Sequence, residues 1–497
     1  MNKSYQPWTQ DQTYLLPPSL RDWLPEEHLA WFILEVVEEL DLSLIEAEIQ
    51  RKDARGQRPY HPQMMVALLL YSYCTGVYSS RKIERATYED IAFRVLSGNS
   101  QPYFTTINEF RRVHREQFAE LFVQALKLCR GAGLVKLGHV AIDGTKVKAS
   151  ASKHKAMSYK RLVAEEKKLK REVQGLLNKA QAADRLDDER YGEGERGEEL
   201  PEELKRRESR LARVKQAKAQ LEAEAKEGRA AALREHAEGM EDTANSHDDE
   251  VMRRRLRTSS VKRRRKADEL DPPGDDEPPE GPGAEELAMK STPATTEGLP
   301  RDDAQRNFTD AESSIMMGRD GFIQAYNAQL AVDEAHQVIV GAGVTNQPAD
   351  NAHLTPMLNR VKANLGAVPE YTTGDSGYWH PEVESEASEL GTRALVATGR
   401  VRHGESGSAS TEGEPPEGLE PRERMRWRLN TVEGRGVYSR RKCVVEPVNG
   451  QIKHARGFCQ FSFRGRSAVE AEWQLVGLCH NLLKLFNYRE NVALSPG

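Results

Sequence analysis

Apolar positions in the first third of the chain recur at helical spacing. Leu29, Phe32, Ile33, Val36 and Val37 line one side of a segment opened by Pro25-Glu26-Glu27, which predicts an amphipathic helix to about Leu40. An extended arm ending in Leu16-Pro17-Pro18 precedes it and a Gly/Arg-rich loop follows. Behind His61-Pro62 the run MMVALLLYSYCTG is too short for the ~20 residues of a membrane span and reads as a buried helix ended by Gly76. Ser79-Ser80 can cap a helix to about Leu96. Thr106-Ile107-Asn108-Glu109 has the form of a capping box ahead of Phe110, Val113, Phe118, Leu121, Phe122 and Leu126.

Past Gly138 the pattern changes from helical to alternating. In GHVAIDGTKVKAS, Val140 and Ile142 face one way and Ala141 and Asp143 the other, as in a buried strand. Alternation returns in GFIQAYNAQLAVDEAHQVIVGAGVT, read as strands Tyr326–Val332 and Gln337–Val344. A helix carrying Leu354, Met357, Leu358 and Val361 comes next, then a strand ending at TTGDSGYWH, a strand in TRALVATG, a flexible loop RHGESGSASTEGEPPEG and a closing helix with Val469, Trp473, Val476, Leu482 and Leu485. Strands mixed with helices predict a mixed α/β sheet.

Residues 155–300 interrupt this order as an insertion. Leu162, Leu169 and Leu176 are seven apart, as are Leu204 and Leu211, with Val214 and Leu221 extending the second seam. The spacing predicts two antiparallel helices of a coiled-coil hairpin around the loop YGEGERGEELPEE. The Pro- and acid-rich DPPGDDEPPEGPG reads as disordered. The domains expected are therefore a helical one at 1–130, a catalytic α/β domain split into 131–154 and 301–490, and the insertion at 155–300.

Charge alters this picture in two places. The chain of 497 residues has a formal charge of −5, which taken globally argues against a nucleic-acid partner. Yet RRRLRTSSVKRRRK (253–266) holds nine cations and no acid, and Tyr438–Arg466 holds seven cations and a single acid, Glu446. The first run can bind phosphates or pair in cis with the acidic segment after it. In the second, a helix opening at Val444 with Pro447 in its first turn puts Glu446, Asn449 and Lys453 on one face. The start lacks a basic head and apolar core, so a cytoplasmic location without a membrane partner is expected. Five scattered cysteines read as reduced thiols.

Three carboxylates stand out by position: Asp143 in a central strand, Asp375 at a strand end and Glu446 on a late helix. An acid inside an apolar strand is costly unless paired or metal-bound. Carboxylates from separate elements can hold two Mg²⁺ or Mn²⁺ ions, which clamp the attacking and leaving oxygens of a phosphodiester. Asp350 is a rival second carboxylate, but GVTNQPADNAH reads as a helix-capping loop.

The order IDGTKV, GDSGYW, VEPVNGQIK resembles the DDE transposases of bacterial insertion sequences. YHPQMMVALLLYSYCTGVYSSRKIE resembles the helical DNA-binding domain heading the IS1182 group, of the broader IS4/IS5 type, and NFTDAESSIM, YNAQLAVD and RGRSAVEAEWQL extend the likeness over nearly the whole ordered chain. The resemblance implies an RNase H-like catalytic fold with Asp143, Asp375 and Glu446 as metal ligands. It implies metal-dependent cleavage of double-stranded DNA at terminal inverted repeats, transfer of the freed 3′ end to target DNA, and a homodimer. Tyr438, Arg441, Glu446 and Lys453 resemble the Y-R-E-K signature, with Arg441 one residue farther from the Glu than usual, which leaves Arg441 and Lys442 both open as the phosphate contact. Lys453 and Arg456 would hold backbone phosphates, and Arg81, Lys82, Arg111 and Arg112 would read the DNA ends. Competing readings are a stand-alone RNase H-like nuclease and a catalytically decayed, transposon-derived DNA-binding protein. GDSG is also a serine-protease string, but Tyr-Trp-His follows it and no matching His and Asp segments are evident.

Overall fold

The computed structural model describes residues 19–51, 58–191, 202–272, 287–319, 321–399 and 411–493. The N-terminal arm, most of the insertion's Gly/Glu-rich loop, most of the Pro- and acid-rich segment and most of the loop near residue 405 lie outside them.

Seven helices come first: α1 (Leu29–Glu39), α2 (Ser43–Gln50), α3 (Pro62–Cys74), α4 (Ser80–Glu89), α5 (Ile91–Leu96), α6 (Phe104–Val113) and α7 (Gln117–Gly131). The apolar run α3 is buried from Met65 through Cys74, as an all-round hydrophobic helix must be. The single helix expected from Ser80 to Leu96 is broken at Asp90, whose side chain caps α5 by accepting from the N–H of Ala92 at 2.8 Å and of Phe93 at 3.2 Å. No capping box forms at Thr106. The helix α6 begins earlier, at Phe104, whose N–H donates to Glu84 at 3.2 Å, while Glu109 pairs with Arg112. Helix α2 falls where only a loop was expected.

Strand β1 (His139–Lys148) enters the sheet. The chain then leaves through β2 (Ala156–Ser158), α8 (Tyr159–Tyr191), α9 (Glu202–Ser246) and α10 (Glu250–Leu270), and returns at β3 (Gln305–Asn307), which pairs antiparallel with β2. Leu162, Leu169 and Val173 of α8 pack against Leu211, Val214 and Leu221 in the first half of α9. Ala230 and Leu233 in its second half receive Ala267 and Leu270 of α10, so the basic run is helical. Between the halves Glu224 accepts from Arg306 at 2.6 Å and Thr292 at 2.9 Å, which fastens α9 to the sheet domain at its middle.

The sheet is completed by β4 (Ser314–Gly318), β5 (Gly321–Asp333), β6 (Ile339–Thr345), β7 (Tyr371–Gly374) and β8 (Arg393–Val396). Its order is β6-β5-β1-β7-β8, with β4 also on β5; β5 runs antiparallel to β1, while β7 and β8 run parallel to it. Helices α11 (Leu354–Leu365), α12 (Val383–Leu390), α13 (Pro421–Asn430), α14 (Val432–Gly450) and α15 (Arg466–Ala493) complete the chain. One apolar core runs unbroken from α1 and α3 through α7 and α15 into the sheet. The architecture is thus a helical N-terminal region followed by a mixed α/β sheet domain.

Candidate active site

β1 carries Asp143 past the end of β7, where Asp375 follows directly on the strand. The Asp143 carboxylate accepts from its neighbour Gly144 N–H at 3.0 Å and from Asn449 Nδ2 at 3.3 Å. Burial pushes its carboxyl up to about 6; Arg441 opposes the shift, and the charges of Asp375 and Asp350 add to it. Asp375 caps the short turn Ser376–Tyr378, accepting from Gly377 N–H at 2.7 Å.

Helix α14 supplies the opposing face. It starts at Val432, capped by Thr431, and not at Val444, so Pro447 lies in its interior. The missing Pro447 N–H frees the carbonyl of Cys443, and Gln337 Nε2 donates to that carbonyl at 3.0 Å. The helix then passes into a π-helical turn, Gln451–Ala455, which aims Lys453 Nζ at the carbonyl of Lys146 at 2.8 Å. Arg441 is buried beside Tyr438 and Asp143, whereas Lys442 is exposed. Of the two cations left open by the sequence, Arg441 therefore faces the carboxylates.

Glu446 is not brought in with them. It is exposed and makes no hydrogen bond or ion pair among the described residues, and Asn449, one turn on, reaches Asp143 instead. Among the described residues no three acidic, histidine or cysteine side chains are grouped closely enough to hold a metal ion.

The expected DNA contacts divide. Arg81 and Lys82 are exposed, Arg81 lying over the Phe104 ring at 4.7 Å, and Arg112 is exposed in an ion pair with Glu109. Arg111 is only 2% exposed and donates to the Tyr73 hydroxyl at 3.0 Å and the Tyr78 carbonyl at 2.9 Å, so it is an internal strut and not a DNA contact. Arg456 turns to His480 at 3.4 Å, away from the carboxylates.

Sequence reasoning set Asp350 aside as a cap, and the structure gives it other work. It accepts from Asn327 at 2.6 Å and Gln329 at 2.8 Å and pairs with Lys146 at 3.6 Å. Gln329 also accepts from the Tyr378 hydroxyl. In register Gly144 opposes Gln329 and Lys146 opposes Asn327, so this network meets β1 at Gly144 and Lys146, close enough for the Asp350 charge to act on the Asp143 carboxyl. A Cβ at Gly144 would come within 2.5 Å of Asp350 Oδ1, which accounts for glycine there. The available signal was YNAQ: two amides two residues apart in an apolar strand, both wholly buried.

Residues 18–113 match the family model "Transposase domain (DUF772)" and residues 283–482 match "Transposase DDE domain". Asp375 and Glu446 fall inside the second match and Asp143 inside neither. No curated protein and no solved structure matches the chain. No helix among the described residues is long and apolar enough to cross a membrane. Together the two matches cover α1 through α6 and all but the first strand of the main sheet, and they support a DDE transposase.

Proposed function

We propose that this chain is a DDE transposase of the IS1182 group, cutting DNA at insertion-sequence ends and joining the freed 3′ end to target DNA on an RNase H-like catalytic domain. The observation that carries the reading is Asp143 on the central strand next to Asp375 at the tip of its parallel neighbour, faced by Arg441 from α14 and Lys453 from the π-helical turn after it. The order β6-β5-β1-β7-β8, in which β5 alone runs against all the other strands, supports the fold assignment. The site suits hard cations: its acids are close enough to raise the Asp143 carboxyl, and the buried Asn449 Oδ1 has no partner. Asp143 and Asp375 would hold one or two Mg²⁺ or Mn²⁺ ions, and Glu446, one turn before Asn449 on α14 and exposed in this structure, would have to move toward them to complete the set. Such ions supply charge neutralisation at the scissile phosphate and a more acidic bound water. Arg441 and Lys453 neutralise the approaching phosphate, Asn449 orients the Asp143 carboxylate, and Tyr438 steadies Arg441. Arg81, Lys82 and Arg112 contact the DNA ends, and two copies act together on the two ends.

The test is cleavage and strand transfer on end-containing duplexes with Mg²⁺. Asp143→Ala, Asp375→Ala and Glu446→Ala each abolish cleavage while leaving gel-shift binding intact, and Glu446→Ala changes stability by less than about 0.5 kcal/mol because the side chain is exposed. Retained cleavage in any one removes that residue from the site. The exposure of Glu446 favours a second reading, a transposon-derived DNA-binding protein without catalysis. Wild-type binding without cleavage would establish that one, and cleavage without strand transfer would indicate a nuclease.

A further inference from the structure

Helix α10 presents two unlike faces. Arg253, Leu256, Ser260, Arg263, Ala267 and Leu270 turn at least partly inward, toward α9. On the opposite arc Arg254, Arg255, Lys262, Arg265 and Lys266 are exposed, at offsets 0, 1, 8, 11 and 12 from Arg254, which one side of a helix gathers. Some neighbouring cations are engaged: Arg264 with Glu241 at 2.7 Å, Arg257 with Asn245 at 3.2 Å, and Arg265 loosely with Glu269 at 3.4 Å. The side chains of Arg254, Arg255, Lys262 and Lys266 have no hydrogen-bond or ion-pair partner among the described residues. The rest of the insertion behaves differently. In the α8–α9 hairpin Arg210 meets Glu165 and Lys218 meets Glu166, so cations there are neutralised in place. A solvated face ordinarily mixes signs, and between Arg253 and Lys266 this one has no acid at all.

We infer that the outer face of α10 is a docking surface for the phosphate backbone of duplex DNA, which gives the insertion a role in holding DNA by charge and without reading bases. The inference rests on the DNA-handling function proposed above. From Arg254 to Lys266 the helix rises roughly 18 Å at 1.5 Å per residue, and B-DNA offers one charge per ~1.7 Å of axis. Four unpaired cations on that length can each meet a phosphate. Because α9 is fastened to the sheet domain at Glu224, DNA held on α10 is tethered to the body that carries Asp143 and Asp375.

The experiment measures binding of the full chain to a fluorescent random-sequence duplex between 50 and 200 mM salt. The variant R254Q/R255Q/K262Q/K266Q removes charge with a residue that suits helices, and R254K/R255K keeps the charge. The Gln variant is expected to lose roughly 3 from the slope of log K against log salt and at least tenfold in affinity at 100 mM, while the Lys variant binds as wild type. Circular dichroism and the melting temperature check that the Gln variant is folded. Should it misfold, K262E/K266E is measured instead, with a comparable loss expected. Wild-type binding with an unchanged slope and affinity in the neutralised variant overturns the inference and leaves the DNA reading standing. Pairing of α10 in cis with the acids of residues 271–280 would give that same outcome. A wild-type chain that binds no duplex sinks both.

Discussion

A carboxyl raised by burial and by its neighbours lowers stability whenever it must ionise. Asp143 is held at about 6 against an ordinary value of 3.8, so the folded state binds its proton more tightly than the unfolded chain does. The sign follows: the stabilisation is present below pH 4 and is lost as pH rises through 6. Asp143→Asn, neutral at every pH, is therefore expected to raise metal-free stability at pH 7 by about 1 to 3 kcal/mol, with the gain fading toward pH 4. Thermal unfolding in chelator at the two pH values checks it, and an equal gain at both would remove the electrostatic explanation. Such a residue could be found from sequence because an acid between Ile142 and Gly144 has no ordinary reason to be in an apolar strand. Asp350 could not be, since its meaning depends on Asn327, Gln329 and Lys146, which only the β1–β5 register brings beside it. The same blindness put Arg111 on the DNA: an arginine in a basic pair looks exposed until Tyr73 and the Tyr78 carbonyl are seen to enclose it.

Helices show where local rules lose to tertiary contacts. Pro447 pointed to a helix start, a sound inference when the carbonyl four residues back has no other donor. Here Gln337, whose backbone sits at φ 58°, brings one from the β5–β6 turn. Gln337→Asn keeps a residue tolerant of that φ but shortens the reach, and is expected to cost about 1 kcal/mol. In a Pro447→Ala background, where an N–H returns to Cys443, the cost shrinks, and a double-mutant cycle by urea unfolding measures the difference. If the two changes prove additive, the side chain is not substituting for the missing backbone donor. Long periodic elements such as α1 and α8 were legible because many residues repeat the same signal, whereas the run from Phe110 to Leu126 read as one helix and is broken between α6 and α7. Breaks set by one residue, Asp90 or Phe104, were not, because the deciding partner can come from a neighbouring helix such as α4.

Across the whole molecule the helical region and the sheet domain are joined by buried polar links as well as by apolar packing. Glu472 of α15, wholly buried, accepts from the Tyr73 hydroxyl at 2.9 Å, and Arg111 donates to that same hydroxyl. Its second oxygen takes the N–H of Ser462 at 2.8 Å and of Phe463 at 3.2 Å. Arg111→Ala leaves that acid without its nearby cation and is expected to lower stability by about 2 to 4 kcal/mol, moving the unfolding of both regions together. Calorimetry showing the helical region melting alone, with the sheet domain unmoved, would contradict this coupling.

The insertion has a consequence in time as well as space. Asp143 pairs in register with Leu330, which is made 187 residues later. At 5 to 20 residues per second the central strand waits roughly 10 to 40 s for its antiparallel partner. Throughout that interval both its edges are open to mispairing. Helices α8 and α9 need only local contacts to form, and once they do, most of the intervening chain is no longer loose. The clip between β2 and β3 then leaves a short gap for β5 to close. During synthesis, an insertion that looks like an appendage to the finished sheet serves to draw its two halves together.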